Sequence, residues 1–228
     1  MALNKDIFKK RAITAVVFAV VMLTGLMLNG YAFAVLCALI AIGALKEFFQ
    51  LMHLINPERG GMKYVHAIVY IVIPILLFAS LGFAMPHPEY LPFHDPVIPT
   101  LLMCSIWIND TMAYVVGSLI GKTPFSAISP KKTWEGTIGG AVLCIVAMTI
   151  FAWFYTKMIH WSDMLVISAL CSVFGTMGDL YESKLKRLAG VKDSGSILPG
   201  HGGFLDRFDS LLFAAPAVWL YVQLFMYK

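Results

Sequence analysis

The stretch TIGGAVLCIVAMTIFAWFY, from Thr137 to Tyr155, runs for 19 residues without a charged side chain. A helix needs about 20 mainly apolar residues to cross the hydrocarbon core of a bilayer, and roughly 17–25 are tolerated. The apolar residues are continuous rather than alternating, which disfavours a strand of a membrane β-barrel. The stretch therefore predicts a membrane-spanning helix.

The composition of the whole chain supports an integral membrane protein. Of its 228 residues, 59% are hydrophobic and 13% are charged, and the mean hydropathy is +0.79. Soluble domains are about 45–50% apolar and about 25% charged, so an ordinary soluble enzyme and a disordered chain are both excluded. The four cysteines lie inside apolar runs without ligand-like spacing, which indicates buried thiols rather than a disulfide framework.

Six further apolar runs approach or reach the length of a membrane span. They lie at about Ala12 to Leu28, Tyr31 to Phe49, Val65 to Met85, Ile98 to Ile120, Met164 to Leu180 and Ser210 to Tyr227. We predict an all-α fold, a polytopic bundle of about seven transmembrane helices in one membrane domain. Residues 1–97 form its amino-terminal region of about three spans, and residues 98–228 form a carboxyl-terminal catalytic region.

The basic residues predict the orientation of these spans. If the amino terminus is cytoplasmic, 15 of the 17 Lys and Arg residues lie on the inner side, and only Lys157 and Lys228 lie outside. Cytoplasmic loops carry such an excess of positive charge. We expect a multi-pass protein of the cytoplasmic membrane with its amino terminus inside, its carboxyl terminus outside and its active site on the cytoplasmic side.

A carboxylate lies near the middle of the fourth predicted span. Asp110 follows Asn109 there, and a charged group at that depth costs about 2.5–3.5 kcal/mol on insertion scales. Such a residue marks a functional site by default. The alternative is a hydrogen bond from Asn109 or Asp110 that packs one helix against another.

The fourth span is followed by the run SPKKTWEG, Ser129 to Gly136. Lys131 and Lys132 supply point charges for a polyphosphate, and Thr133 adds a hydroxyl near the start of the fifth span. The free backbone N–H groups of a helix start also favour an anion. A pair of lysines at a membrane edge also serves simply as a topology anchor.

The sixth span ends in a group of polar residues. On a helix Asp179, Glu182, Ser183 and Lys186 share one face, because they are three, four and seven residues apart. This face offers two carboxylates, a hydroxyl and a cation at the level of the lipid headgroups. The alternative is a surface ion pair between Glu182 and Lys186, which leaves Asp179 unexplained.

A glycine-rich loop from Gly190 to Gly203 leads into the last span, whose first turn carries Asp206 and Asp209. Two carboxylates three residues apart form half of a site for a hard cation, and Mg²⁺ combines one or two carboxylates with phosphate oxygens. We therefore predict that Asp179 and Asp206 share metal-bound phosphates in phosphoryl or nucleotidyl transfer. Capping of the last helix by Asp206 is the alternative.

The run from Ser183 to Asp209 also resembles the signature of the phosphatidate cytidylyltransferases, or CDP-diacylglycerol synthases. The matching elements are Ser183-x-Leu185-Lys186-Arg187, Lys192-Asp193-Ser194-Gly195 and Leu198-Pro199-Gly200-His201-Gly202-Gly203-Phe204-Leu205-Asp206-Arg207-Phe208-Asp209, preceded by Asp110-Thr111-x-Ala113-Tyr114 and the SPKKTWEG run. The resemblance implies a multi-pass enzyme that condenses CTP with phosphatidate, giving CDP-diacylglycerol and pyrophosphate. It further implies Mg²⁺, with a possible second monovalent or divalent cation, and a homodimer; no nucleic-acid partner is expected.

The resemblance also assigns roles to individual residues. It implies that Asp179 and Asp206 bind metal, and that Ser183, Lys192, Asp193 and Ser194 belong to the site. We expect Asp209 and Asp110 to be supporting carboxylates, and Lys131, Lys132 and Thr133 to bind CTP. The remaining substrate-binding candidates are Lys186, Arg187 and Arg207 for phosphatidate or pyrophosphate, the glycines Gly202 and Gly203, and His201, which either donates to a phosphate or orients its loop.

Two other functions stay open at this point. A CTP-dependent transferase or kinase acting on an isoprenoid alcohol or an ether lipid would share the nucleotide site. A transporter would instead line an ion path with Asp110 and Asp179, but transporters place their sites near the midplane and often repeat a fold. Most of the charged residues here lie at the inner membrane edge, and the sequence shows no repeat.

Overall fold

The computed structural model describes residues 5–57, 60–83, 94–155, 157–195 and 202–226. Within these residues the chain is almost entirely helical. The helices are α1 (Lys5–Met27), α2 (Gly30–Ile55), α3 (Met62–Phe83), α4 (Val97–Ile120), α5 (Trp134–Tyr155), α6 (Trp161–Leu188) and α7 (Leu205–Met226). Short π-helical turns occur within α3 at Ile68–Val72 and at the end of α7 at Val222–Met226.

Six of these helices, α2 to α7, are long and apolar enough to cross a membrane. The predicted all-α, polytopic fold class is therefore confirmed. The predicted first span is the weakest, because the apolar helical part described there, Thr14–Met27, is shorter than the other candidates. Several helices exceed their predicted spans, and α6 continues through the polar residues that follow Leu180 to end at Leu188.

A small β-ribbon interrupts the helical pattern, contrary to the expectation that strands are absent. Strands β1 (Pro124–Ser126) and β2 (Ser129–Thr133) pair antiparallel, with Pro124 opposite Thr133 and Ser126 opposite Ser129. The hydroxyl of Thr133 accepts a hydrogen bond of 3.1 Å from the backbone N–H of Gly136. Thr133 thus ends the ribbon and caps the first turn of α5.

The chain divides into two compact units. Unit 1 consists of Met1–Pro96 and Leu185–Phe208, and unit 2 consists of Val97–Lys184 and Asp209–Lys228. Much of the signature region, from Leu185 to Phe208, thus groups with the amino-terminal helices. The predicted assignment of catalysis to residues 98–228 stays a prediction.

Aromatic packing builds the core of unit 1. The ring of Phe33 in α2 lies 5.6 Å from the rings of both Phe78 and Phe83, and 5.0 Å from that of His94. His94 is buried, and its ring nitrogens lie 2.7 Å from the carbonyl oxygen of Leu26 and 3.1 Å from that of Gly82. These contacts tie the ends of α1 and α3 to the segment before α4.

In unit 2, small residues bring helix backbones into direct contact. A Cβ added to Gly140 in α5 would lie 2.6 Å from the Cα of Ala113 in α4, and one added to Gly136 would lie 2.9 Å from the Cα of Gly117. Small residues allow such close helix crossings in membranes, where packing drives association. A Cβ on Gly178 of α6 would likewise overlap the carbonyl oxygen of Asp209 in α7, so the two carboxylate-bearing turns lie against each other.

Candidate active site

Unit 2 contains a cavity of about 520 Å³. Helices α4, α5 and α6 and strand β2 line it. Its polar and charged lining residues are Asn109, Asp110, Tyr114, Ser118, Lys131, Lys132, Thr133, Thr137, Thr176 and Asp179. The cavity is large enough for a small-molecule ligand, since such sites span about 300–1,000 Å³. The sequence-predicted residues Asp110, Lys131, Lys132, Thr133 and Asp179 are thus brought together around one cavity.

Within this cavity an ion pair joins β2 to α6. The ammonium group of Lys132 contacts a carboxylate oxygen of Asp179, and the two side chains are 29% and 28% exposed. Because both are partly accessible, a ligand can reach each of them. A cation and a carboxylate side by side can bind a phosphate and a metal ion, respectively.

Three carboxylates converge on the α6 side of the site. Oxygen atoms of Asp179, Glu182 and Asp209 all lie within 4.8 Å of one another. Asp179 and Glu182 are three residues apart on α6, and the close approach of Gly178 to the backbone of Asp209 brings in α7. The hydroxyl of Ser183 donates a long hydrogen bond of 3.4 Å to Asp179, which places Ser183 at the edge of the same cluster.

The chemistry of this cluster fits a hard divalent cation. Glu182 has no solvent-exposed surface, and a buried carboxylate is costly unless positive charge compensates it. Lys132 supplies a positive charge at Asp179. Oxygen ligands from carboxylates are those that Mg²⁺ and Ca²⁺ prefer. Asp179, Glu182 and Asp209 are therefore the candidate metal ligands of unit 2.

Glu182 is a site residue that the sequence reasoning missed. The sequence analysis placed it on the polar face of α6, with a surface ion pair to Lys186 as the alternative, but did not name it as a metal ligand. Glu182 is buried, whereas Lys186 forms an ion pair with Asp206. The signal was present, because Glu182 shares a helix face with Asp179.

Asp110 occupies the α4 side of the cavity. Its carboxylate accepts a hydrogen bond of 3.3 Å from the side-chain amide of the buried Asn109. The carboxylate itself is exposed to the cavity region rather than buried between helices. Asp110 thus faces a cavity that other charged residues also line, and the choice between the functional interpretation and the packing alternative stays a prediction.

The signature residues of unit 1 form a separate hydrogen-bonded arrangement around Asp206. One carboxylate oxygen, Oδ1, lies 2.5 Å from the ammonium group of Lys186. The other, Oδ2, accepts hydrogen bonds of 2.9 Å from the backbone N–H of Ser194 and 2.8 Å from the N–H of Gly203, and it lies 3.0 Å from the hydroxyl oxygen of Ser194. The last contact satisfies an N–H just before α7, as in the capping alternative. The predicted sharing of a metal by Asp179 and Asp206 stays a prediction.

Glu47 in α2 is the second residue that was missed. Its side chain is 1% exposed and accepts hydrogen bonds from Ser194, Phe204 and Leu205. These partners lie about 150 positions further along the chain, so no local pattern reveals them. A single carboxylate within an apolar run was the available signal.

The other predicted residues occupy the rim of this arrangement. Arg187 donates a hydrogen bond of 3.0 Å to the carbonyl oxygen of Val191. Lys192, Asp193 and Arg207 are exposed, and Gly202 has a φ of +80°, which a residue with a side chain rarely adopts. His201 lies outside the described residues, so its two proposed roles stay predictions.

The fold is that of a polytopic helical membrane protein, and its cavity brings lysine and carboxylate side chains together. Residues 59–225 match the sequence model of the cytidylyltransferase family. The chain belongs to this family, which confirms the resemblance read from the signature.

Individual relatives agree with this membership. The chain is 50% identical over 121 residues to a phosphatidate cytidylyltransferase of Bacillus subtilis, covering 53% of this chain and 45% of that protein. A phosphatidate cytidylyltransferase of Staphylococcus haemolyticus is 29% identical over 250 residues, covering 91% and 96% of the two chains. A third, from Synechocystis, is 41% identical over 141 residues, covering 61% and 47%. The matched part thus spans about half the length of the first and third relatives.

Proposed function

We propose that this protein is a phosphatidate cytidylyltransferase, a nucleotidyltransferase of phospholipid synthesis. It converts CTP and phosphatidate into CDP-diacylglycerol and pyrophosphate. The observation that carries the proposal is the cavity in which Lys132 and Asp179 form an ion pair beside the carboxylates of Glu182 and Asp209. Family membership and the printed names of the relatives support the choice of substrates.

The reaction joins two anions. A phosphate oxygen of phosphatidate attacks the α-phosphorus of CTP, and a new P–O bond forms. The bond from the α-phosphorus to the bridging oxygen breaks, and its electron pair leaves with pyrophosphate. Because the nucleophile already carries negative charge, no strong general base is needed. Positioning and charge neutralisation therefore dominate catalysis.

The residues of the cavity suit these needs. Lys131 and Lys132 lie on one strand and bind the phosphates of CTP, and the Thr133 hydroxyl lies beside them at the start of α5. Asp179, Glu182 and Asp209 would hold Mg²⁺, which when bound neutralises phosphate charge and polarises the phosphorus–oxygen bonds. Lys186, Arg187 and Arg207 remain the proposed partners of phosphatidate or pyrophosphate, with Lys186 oriented by Asp206.

The proposal includes the membrane orientation. The excess of basic residues on one side supports a cytoplasmic amino terminus, an active site at the cytoplasmic face and residence in the inner membrane. The helices that are long and apolar enough to span support the multi-pass topology. The homodimer implied by the resemblance is part of the same proposal.

The products distinguish this activity from its alternatives. Purified protein in detergent should convert radiolabelled CTP, in the presence of phosphatidate and Mg²⁺, into CDP-diacylglycerol with one pyrophosphate released per turnover. A lipid kinase would release CDP instead, and it would accept an isoprenoid alcohol in place of phosphatidate. Failure to form CDP-diacylglycerol under conditions in which the protein remains folded would refute the proposal.

A further inference from the structure

The buried carboxylate of Glu47 is unusual because it binds backbone that is far away in sequence. Its Oε1 accepts a hydrogen bond of 3.0 Å from the N–H of Phe204. Its Oε2 accepts one of 2.9 Å from the N–H of Leu205 and one of 2.7 Å from the hydroxyl of Ser194. One side chain of α2 therefore binds both the Lys192–Ser194 segment and the start of α7.

The position of this carboxylate explains why it is tolerated in an apolar helix. The first N–H groups of a helix have no partner within the helix, and they favour negative charge. Phe204 and Leu205 offer two such groups at the start of α7. Glu47 thus acts as a cap supplied by another helix, and its charge is compensated without exposure to water.

Two glycines make room for the contact. A Cβ added at Gly195 or at Gly203 would overlap a carboxylate oxygen of Glu47. Neither glycine has a positive φ, so a side chain at either position would displace the Glu47 carboxylate rather than strain the backbone. The signature segment therefore approaches Glu47 more closely than any other residue type would permit.

The same hydrogen bonds continue to the predicted catalytic residues of unit 1. The hydroxyl of Ser194 lies between Glu47 and Asp206, at 2.7 Å and 3.0 Å from their oxygens. Asp206 in turn pairs with Lys186 at 2.5 Å. Any displacement of Ser194 or of the first turn of α7 changes the direction of Asp206 and hence that of Lys186.

We infer that Glu47 is a positioning residue for the reaction: it holds Ser194 and the start of α7, and so orients Asp206 and Lys186. The inference rests on the proposed function. Glu47 lies outside residues 59–225 that match the family. Its role therefore follows from its hydrogen bonds alone.

The main test is Glu47→Gln. An amide has one acceptor oxygen, so at least one of the N–H groups of Phe204 and Leu205 would face another donor. We expect kcat to fall by up to about 100-fold, the cost of a misplaced catalytic group, while the KM for CTP changes by less than about twofold. Amide hydrogen exchange at Phe204 and Leu205 should accelerate.

Phe33→Leu in the same helix is the matched control. Phe33 packs on Phe78 and Phe83, so its loss loosens unit 1 without removing a hydrogen bond from the signature segment. The control should lower the unfolding temperature but leave kcat, and exchange at Phe204 and Leu205, as in the unmodified protein. If both variants lose kcat in proportion to their loss of unfolding temperature, Glu47 has only a structural role and the inference is overturned.

Gly195→Ala tests the inference from the other side and serves also if Glu47→Gln does not fold. Its methyl group must displace the carboxylate while Glu47 itself is retained. A lower kcat together with faster amide exchange at Leu205 would support the positioning role of Glu47. An unchanged kcat would overturn that role. Amide hydrogen exchange is measured without substrates, so it tests the hydrogen bonds of Glu47 independently of turnover. If the unmodified protein makes no CDP-diacylglycerol, only the proposed function is refuted.

Discussion

Lys132 of β2 forms an ion pair with Asp179 of α6, which places a candidate phosphate-binding cation directly beside a candidate metal ligand. The two residues are far apart in sequence, and each lies on a different element that lines the cavity. A nucleotide phosphate that binds Lys132 must therefore approach the carboxylates of Asp179, Glu182 and Asp209. Variants of Lys132 and of the carboxylates can therefore measure the contributions of the cation and of the carboxylates to ligand binding separately.

Lys132→Met should reduce kcat/KM for CTP by about 100-fold or more, comparable to the loss of one donor that stabilises developing charge. The methionine preserves most of the side-chain volume, so the effect reports the lost charge. Product formation from labelled CTP measures it. Lys157→Met is the control, because Lys157 is an exposed lysine outside the cavity. If Lys132→Met is as active as Lys157→Met, Lys132 does not belong to the nucleotide site.

Glu182→Gln should weaken divalent-cation binding by at least about tenfold, since even outer-shell partners of a metal contribute that much. Binding of Mn²⁺, followed by electron paramagnetic resonance, measures this without turnover. Asp163→Asn is the matched control, because Asp163 lies in the first turn of α6 and accepts a hydrogen bond from Tyr221. Equal Mn²⁺ affinity in both variants would contradict the proposed ligand set.

Lys186→Met should destabilise unit 1 by about 1.5–3 kcal/mol, because it removes a charge-assisted contact of Asp206 while the hydrogen bonds from Ser194 and Gly203 remain. The side chains of Lys186 and Asp206 are only 11% and 8% exposed. The double variant with Asp206→Asn removes both charges and should recover part of the lost stability. Unfolding midpoints in detergent compare the two. A double variant less stable than Lys186→Met would contradict the prediction.

Gly140→Ala should lower stability by about 1–3 kcal/mol, the usual cost of overpacking. Its methyl group would lie 2.6 Å from the Cα and N atoms of Ala113, and neither backbone atom can rotate away. Gly61→Ala is the control, because a Cβ there meets no atom within 4 Å. Thermal unfolding of the two variants checks the prediction. Equal midpoints would mean that α4 and α5 separate without cost.

The helices were predictable because each corresponds to a long apolar run in the sequence. A run such as Thr137 to Tyr155 must be helical in a membrane, where every backbone polar group needs a partner within its own segment. The polar face of α6 was predictable as well, because helical periodicity fixes which residues accompany Asp179. The β-ribbon was not, since strands of three and five residues carry no usable alternation.

Glu182 and Glu47 were not predicted as site residues for a different reason. Glu182 was visible on the correct face, but sequence does not distinguish a surface pair with Lys186 from a buried carboxylate. Glu47 is separated from Ser194 by 147 positions, and hydrogen bonds over that separation depend on tertiary packing. Likewise, no local pattern reveals that Lys186 is engaged by Asp206 in the folded chain.

The contact of α4 with α5 through Ala113, Gly117, Gly136 and Gly140 has a consequence for ligand choice. Where the backbones of α4 and α5 are in contact, the cavity wall has no side chains that could change rotamer to accommodate a larger ligand. Widening the cavity on this side would require α4 and α5 to separate, and the van der Waals contacts between them would be lost. Space for a bulkier ligand would therefore have to be gained at the ribbon or at α6, where side chains can change rotamer.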